Sequence, residues 1–215
     1  EFVDLQRPVF LNYLEKGRSQ LTVKTILSSD KDKLQTLAKA LQFVGDQPGI
    51  VFCNFKDALE RVSEFLLDFN IDHECFHGGM EQIDRERALI KFRNGSTQLL
   101  LATDLAARGL DIPEIKFILH YHLPLHKKEF THRNGRTARM NKDGIAYIVH
   151  WEGENLPDFV KSIDPETISI EGRPRGKTGV KWKTLYITGG RRDKISKGDV
   201  AGLFFKQGQI QKDQL

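Results

Sequence analysis

Three short segments carry residue types whose spacing suits them to chemistry. In His132-Arg133-Asn134-Gly135-Arg136-Thr137-Ala138-Arg139, Arg136 and Arg139 stand three positions apart, on one side of a helical turn. Gly135 lets another backbone approach closely. Two guanidiniums facing outward together suit a triphosphate, where planar forks stabilise spreading negative charge; the plainer alternative is a solvated basic helix face. In Ala102-Thr103-Asp104-Leu105-Ala106-Ala107-Arg108-Gly109-Leu110-Asp111-Ile112, Thr103 and Asp104 follow an apolar run and Arg108-Gly109 adds a cation. Asp111 is a carboxylate able to accept two hydrogen bonds from a ribose diol, and Asp104 also fits a helix N-cap. In His77-Gly78-Gly79-Met80-Glu81-Gln82-Ile83-Asp84-Arg85, Gly78 offers an unobstructed backbone N–H and Arg85 follows on the next helix. The plain alternative for Arg85 is an ion pair with Glu81 or Asp84.

Two further patterns imitate chemistry. His73-Glu74-Cys75-Phe76-His77 matches the zinc-protease spacing, which needs a helix to put both imidazoles on one metal. Here the segment reads as a strand running into Gly78-Gly79, which separates the two histidines by about 13 Å. No metal site is expected, and His73 is expected to face solvent. Gly172-Arg173-Pro174-Arg175-Gly176-Lys177-Thr178 imitates a phosphate loop. It has three residues between its glycines instead of four, contains proline and lies in a linker. The chain is therefore expected to lack a phosphate-cradling loop of its own.

The elements that must position these segments alternate along the chain. Ser28-Ser29-Asp30 offers N-cap chemistry for a helix with Leu34, Leu37, Ala38, Leu41 and Val44 on its apolar face. Ile50–Cys53 reads as a buried strand, and Leu59, Val62, Phe65, Leu66 and Phe69 mark a second amphipathic helix. Strands are then expected near 74–76, 98–102, 117–121 and 145–149. Helices are expected over 82–92, briefly at 105–108, and over 128–136. Apolar strands alternating with helices over short connections argue for α/β architecture, a parallel sheet covered on both faces. Ligands on such sheets bind at the carboxyl ends of strands. The stretch before Thr25 shows no clean period and reads as a lead-in. After Ile170 a Gly/basic linker leads to Thr184–Thr188, which alternates like a strand, and to a short helix over 198–205.

Composition narrows the class. The 215 residues are 39% hydrophobic, and no run approaches the roughly 18 apolar residues of a membrane span. Opening on Glu1 without a signal-peptide core is expected of a piece of a longer protein. Cys53 and Cys75, both in strand-like runs, suit a reducing cytoplasm. From Arg173 to Lys197 nine Lys/Arg face one acid, leaving the rest of this +4 chain mildly acidic. That is the charge pattern of a nucleic-acid-binding extension, or of a solvated linker.

Taken in order, the three segments resemble the second-domain motifs of DEAD-box RNA helicases, and Gly49-Ile50-Val51-Phe52-Cys53-Asn54 resembles that family's motif IV. The likeness runs from about Phe10 to Val149 and implies a RecA-like parallel sheet. By resemblance, Arg136 and Arg139 are arginine fingers reaching the γ-phosphate of ATP, held with Mg2+ mainly by a first RecA-like domain. Asp111, with Gly109, meets the nucleotide. His132 and Arg133 couple the two domains, and Asp104 tethers nearby arginines. Asn54, Gly78, Arg85 and Thr103 contact the RNA backbone.

The tail, Thr184–Ile195 with Gly198–Gly202, resembles the opening of the RNA-recognition-motif-like (RRM-like) domain of DbpA-type helicases, and Ala138 fits that subgroup. This implies residues 1–24 as lead-in, 25–170 as the helicase C-terminal domain, 171–183 as basic linker and 184–215 as an incomplete RRM-like segment. The implied partners are RNA, with ribosomal RNA suggested by the tail, and the first RecA-like domain. A monomer with no membrane partner is expected, inactive as an ATPase alone. The rival readings are a DNA-acting superfamily-2 motor, whose third motif more often begins with Gln, and a non-enzymatic RNA-binding adaptor. Asn134 departs from the family's usual aliphatic residue, and His120, His122 and Asn141 are also unusual there.

Overall fold

The computed structural model describes residues 21–107, 115–137, 143–171 and 183–214. Gly109, Asp111 and Arg139, with Arg108, Ala138 and Asn141, lie outside them, as do nearly all of the expected lead-in and most of the basic linker. The chain divides into two compact units, one up to Lys183 and one from Thr184.

The first unit holds a seven-stranded sheet in which every strand pairing is parallel. Its strands are β1 (Leu21–Ser28), β2 (Gly49–Cys53), β3 (Glu74–Phe76), β4 (Leu99–Thr103), β5 (Phe117–His120), β6 (Gly144–Trp151) and β7 (Glu166–Thr167). They lie in the order β3-β4-β2-β5-β6-β1-β7. Between them run α1 (Leu34–Val44), α2 (Lys56–Asp68), α3 (Gln82–Arg93), α4 (Asp104–Ala107), α5 (Lys127–Asn134) and α6 (Asp158–Lys161). The expected RecA-like α/β sheet is present, and its period-2 side-chain alternation explains why helices cover both faces. On one face Val51, Cys53, Leu99, Leu101, Phe117 and Leu119 pack with α1 and α2. On the other, Ile50, Phe52, Leu100, Ala102 and Ile118 pack with α3 and α4. Burying each such large side chain contributes roughly 1.5–3 kcal/mol.

Three local expectations are corrected. β1 starts at Leu21, inside the stretch read as lead-in, and pairs with β6 along its full length. Its burial alternates imperfectly, with Thr25 and Ile26 both buried, so no period showed. Ser28 does not cap α1: it ends β1, and its hydroxyl bonds the Asp30 carbonyl (2.9 Å) and Thr36 Oγ1 (2.8 Å). The helix begins later, with Lys33 at its N-cap and no side-chain cap bond. His73 does not simply face solvent. Its Nδ1 donates to the Ile71 carbonyl (2.8 Å), so Nε2 accepts from Ser63 (2.7 Å), and both bonds fix the approach to β3. Glu74–Phe76 is a strand, as read.

In the second unit, described by itself, no strand occurs among the described residues, so the expected strand over Thr184–Thr188 is not formed. A strand persists only in a ladder with a neighbour, and this unit has no second strand-forming run. Leu185 and Ile187 are 64% and 43% exposed. The expected helix is present as α7 (Lys197–Lys206). It starts at a capping box in which Ser196 Oγ accepts from the Asp199 N–H and the Asp199 carboxylate accepts from the Ser196 N–H.

Candidate functional site

The carboxyl ends of β2, β3, β4 and β5 bring the sequence-predicted segments together. At the centre is Arg133, on α5 and only 2% exposed. Its Nε bonds Asp104 Oδ1 (2.6 Å) and its Nη2 bonds Asp104 Oδ2 (2.5 Å) and Asn54 Oδ1 (2.7 Å). Its Nη1 faces the His122 carbonyl (2.6 Å) and His120 Nδ1 (3.5 Å). A guanidinium has five N–H donors, and all five are engaged here. The guanidinium carbon lies 4.9 Å from the Phe52 ring centroid, which lets its flat face rest on an aromatic. Asp104, at the junction of β4 and α4, therefore tethers an arginine of the third segment.

Arg133, expected to couple two domains, is engaged wholly within this one. Any coupling role runs indirectly, through the turn that it anchors. Asn54 is likewise occupied: besides accepting from Arg133, its Nδ2 donates to the Leu123 carbonyl (2.9 Å). One amide thus ties the end of β2 to α5 and to the loop after β5.

His120 completes the network from the end of β5. Fully buried, it is stacked on Phe130 with ring centroids 5.0 Å apart, and its Nε2 lies 3.0 Å from Asn134 Oδ1. Amide oxygens only accept, so Nε2 carries the proton and Nδ1 faces Arg133 with its lone pair. Burial first, then the Arg133 charge, pushes the imidazole pKa down to about 3, which keeps it neutral. His122 falls to about 4, through burial first and then the positive charge of Lys33.

Two surfaces open from this network. His132 and Arg136 line a shallow pocket with Phe52, Asp104, Ala107, Glu129 and Arg133. Arg136 lies past the end of α5, in the Gly135–Thr137 turn, and not in the helix expected over 128–136. Its backbone N–H donates to the Arg133 carbonyl at 3.0 Å. The second surface is an open cleft lined by Asn54, Phe55, Lys56, His77, Gly78, Gly79, Thr103 and Asp104. Gly78 and Thr103 thus line one cleft together with Asn54. Arg85 does not line that cleft: its guanidinium lies over the Phe76 ring at 4.9 Å, and its buried Nε makes no hydrogen bond. The ion pair at that end of α3 joins Asp84 to Arg87 instead. Sequence reasoning did not single out Phe52 or Phe55. It noted His120 and Asn134 only as separate departures.

Residues 32–141 match the family described as the helicase conserved C-terminal domain. This chain belongs to that family. It is a second RecA-like domain of the DEAD-box type, similar to the ATP-dependent RNA helicase DbpA of Bacillus subtilis at 29% identity over 98% of this chain and 50% of that protein. It is 36% identical to DEAD-box ATP-dependent RNA helicase 21 of Oryza sativa subsp. japonica over 66% of this chain and 20% of that one. The chain thus spans half or less of the length of these relatives. Among solved structures, the helicase domain is similar in fold to the Escherichia coli DEAD-box protein SrmB bound to a regulator of ribonuclease activity. The TM-score is 0.64 at 24% identity, covering 75% of this chain and 99% of that one.

Proposed function

We propose that this helicase domain is one half of an ATP-dependent RNA helicase. It closes on a first RecA-like domain of the same protein, presents arginines to the triphosphate held there, and supplies part of a backbone-directed RNA site. The reading is carried by Arg136, which stands beside His132 in a pocket built over the Asp104–Arg133 pair. The pair, buried on its arginine side, anchors α5, and the Arg133 carbonyl holds the turn that bears Arg136. Donors fixed in advance stabilise developing charge without reorganising during reaction.

The pocket holds Arg133, already paired with Asp104, and beside it Arg136, the cation we assign to the phosphates of ATP with Mg2+. Arg136 would meet them, joined on the sequence resemblance by Arg139, Gly109 and Asp111. The bound metal would neutralise phosphate charge there. Gly78, Thr103 and Lys56 offer a backbone N–H, a hydroxyl and an ammonium along one cleft. These are groups suited to sugar and phosphate, which carry no sequence information. The DbpA-type resemblance of the tail makes ribosomal RNA the first RNA to test. The free thiols of Cys53 and Cys75 support a reducing, cytoplasmic setting for a protein acting as a monomer.

The test is RNA-stimulated ATP hydrolysis by the full-length protein carrying Arg136→Ala or Arg139→Ala. Each is expected to lower kcat by about 10³-fold or more while RNA binding by this chain is retained. Full activity in both variants refutes the finger assignment, and ATP hydrolysis by the isolated chain refutes the half-site reading. Equal stimulation by DNA would favour a DNA-acting motor.

A further inference from the structure

Phe55 stands at the head of α2 with 70% of its surface exposed, more than any other aromatic among the described residues. Local stability does not account for it. At an N-cap, Ser, Thr, Asp or Asn would accept a hydrogen bond from the first helical turn. Phe55 adopts the extended N-cap conformation (φ −129°, ψ 152°), and no side chain caps the helix. It belongs to none of the three buried clusters. Phe69, the next most exposed aromatic among the described residues of the first unit, stacks on Phe65 with centroids 4.6 Å apart.

The ring shares its cleft with Lys56, His77, Gly78, Gly79 and Thr103. The small residues matter to that arrangement. A Cβ on Gly79 would come within 3.3 Å of Lys56 Cδ, so the lysine stem lies against the glycine backbone. Its ammonium is 3.4 Å from Glu60 Oε1, an exposed pair that binds weakly and yields readily to a phosphate. His77 stays neutral, its pKa lowered chiefly by burial. A cation, unobstructed backbone and a bare aromatic face therefore share one open surface. Aromatic platforms beside phosphate-binding groups hold unpaired bases in a sequence-tolerant way, because every base has a π-face.

We propose that Phe55 stacks one unpaired nucleobase of a single-stranded RNA crossing this cleft, adding a base contact to the backbone contacts of the proposed function, on which this inference rests. The domain would then register whether a base is unpaired and turned toward it, and not only where the phosphates run.

The test measures binding of this chain to a short single-stranded RNA and to an abasic ribose-phosphate strand of equal length, by fluorescence anisotropy. Phe55→Ala is expected to weaken binding of the base-bearing strand about tenfold, whereas Phe55→Trp keeps wild-type affinity. On the abasic strand wild type and Phe55→Ala are expected to bind alike. An unchanged urea midpoint shows that the exposed substitution leaves the fold intact. Suppose Phe55→Ala binds the base-bearing strand like wild type, while Lys56→Ala weakens both strands. Stacking is then overturned, the backbone reading stands, and the ring becomes a surface for a protein partner. Equal loss on both strands also overturns stacking, since no base is needed for it. Failure of the wild type to bind either strand overturns the RNA reading itself, and stacking with it.

Discussion

His120 and Asn134 form a buried hydrogen-bonded pair, imidazole Nε2 to amide oxygen at 3.0 Å, joining the end of β5 to the last turn of α5. On the sequence resemblance each is unusual at its position, and each finds its partner in the other. Asn134 Nδ2 remains buried without a hydrogen bond, so the pair is incompletely satisfied and its members should be strongly coupled.

Removing one member strands the other. His120→Phe or Asn134→Leu alone is expected to cost about 1–3 kcal/mol, the penalty of an unsatisfied buried polar group. The double variant is expected to recover much of that loss, with a coupling of at least about 1 kcal/mol in a urea-denaturation cycle. Strict additivity would show that the two side chains do not act as a pair.

Acid should weaken the fold through the same imidazole. His120 has a folded pKa of about 3 against an ordinary 6.5, so the unfolded chain binds the extra proton between those values. Stability therefore rises with pH across that window, by at most about 1.4 kcal/mol per pH unit, and is level in this respect above 6.5. His122, at about 4, acts in the same direction. Unfolding midpoints from pH 4 to 8 should show the fall, and the His120→Phe/Asn134→Leu variant should show a shallower one. Identical slopes would assign the acid sensitivity to other groups.

Asp104→Ala should be among the most damaging single changes in the first unit. It leaves the 2% exposed Arg133 guanidinium without its carboxylate, at an expected loss of roughly 3–5 kcal/mol. Arg133→Lys should also fail to restore the site, because an ammonium lacks the planar fork that reaches Asp104, Asn54 and His122 together. A thermal melt of each variant decides this; wild-type melting would show that the network carries little stability.

Gly49 meets the ring of Phe117 so closely that a Cβ would stand 2.1 Å from ring carbon Cε1. Gly49→Ala is expected to lower stability by about 1–3 kcal/mol through overpacking, and Phe117→Leu in the same chain to relieve part of that strain. If the double variant is less stable than the sum of the singles, the contact has been misjudged.

The parallel sheet was readable because its central strands are continuous apolar runs, such as Leu99-Leu100-Leu101-Ala102, separated by helices of clear period. β1 was not, since Lys24 and Thr25 interrupt its apolar residues and its burial depends on β6, more than a hundred positions away in the chain. Asp104 as a tether was implied by the family resemblance. The identity of the tethered side chain was not: Arg133 sits in a polar run that looks solvated throughout, and only the docking of α5 over β5 encloses it. The same docking pairs His120 with Asn134, a contact that no local spacing encodes. Thr184–Thr188 failed as a strand for the converse reason, its local alternation having no neighbouring strand to answer it.

The two margins of the sheet are its shortest strands, β3 with three residues and β7 with two. Each is braced by an ion pair to a neighbouring element, Glu74 to Lys91 and Glu166 to Lys24. Stubby, charged borders are poor templates for annealing with a foreign chain. On the function proposed above, a domain that parts from and rejoins another body would come apart repeatedly without offering a sticky seam to its surroundings.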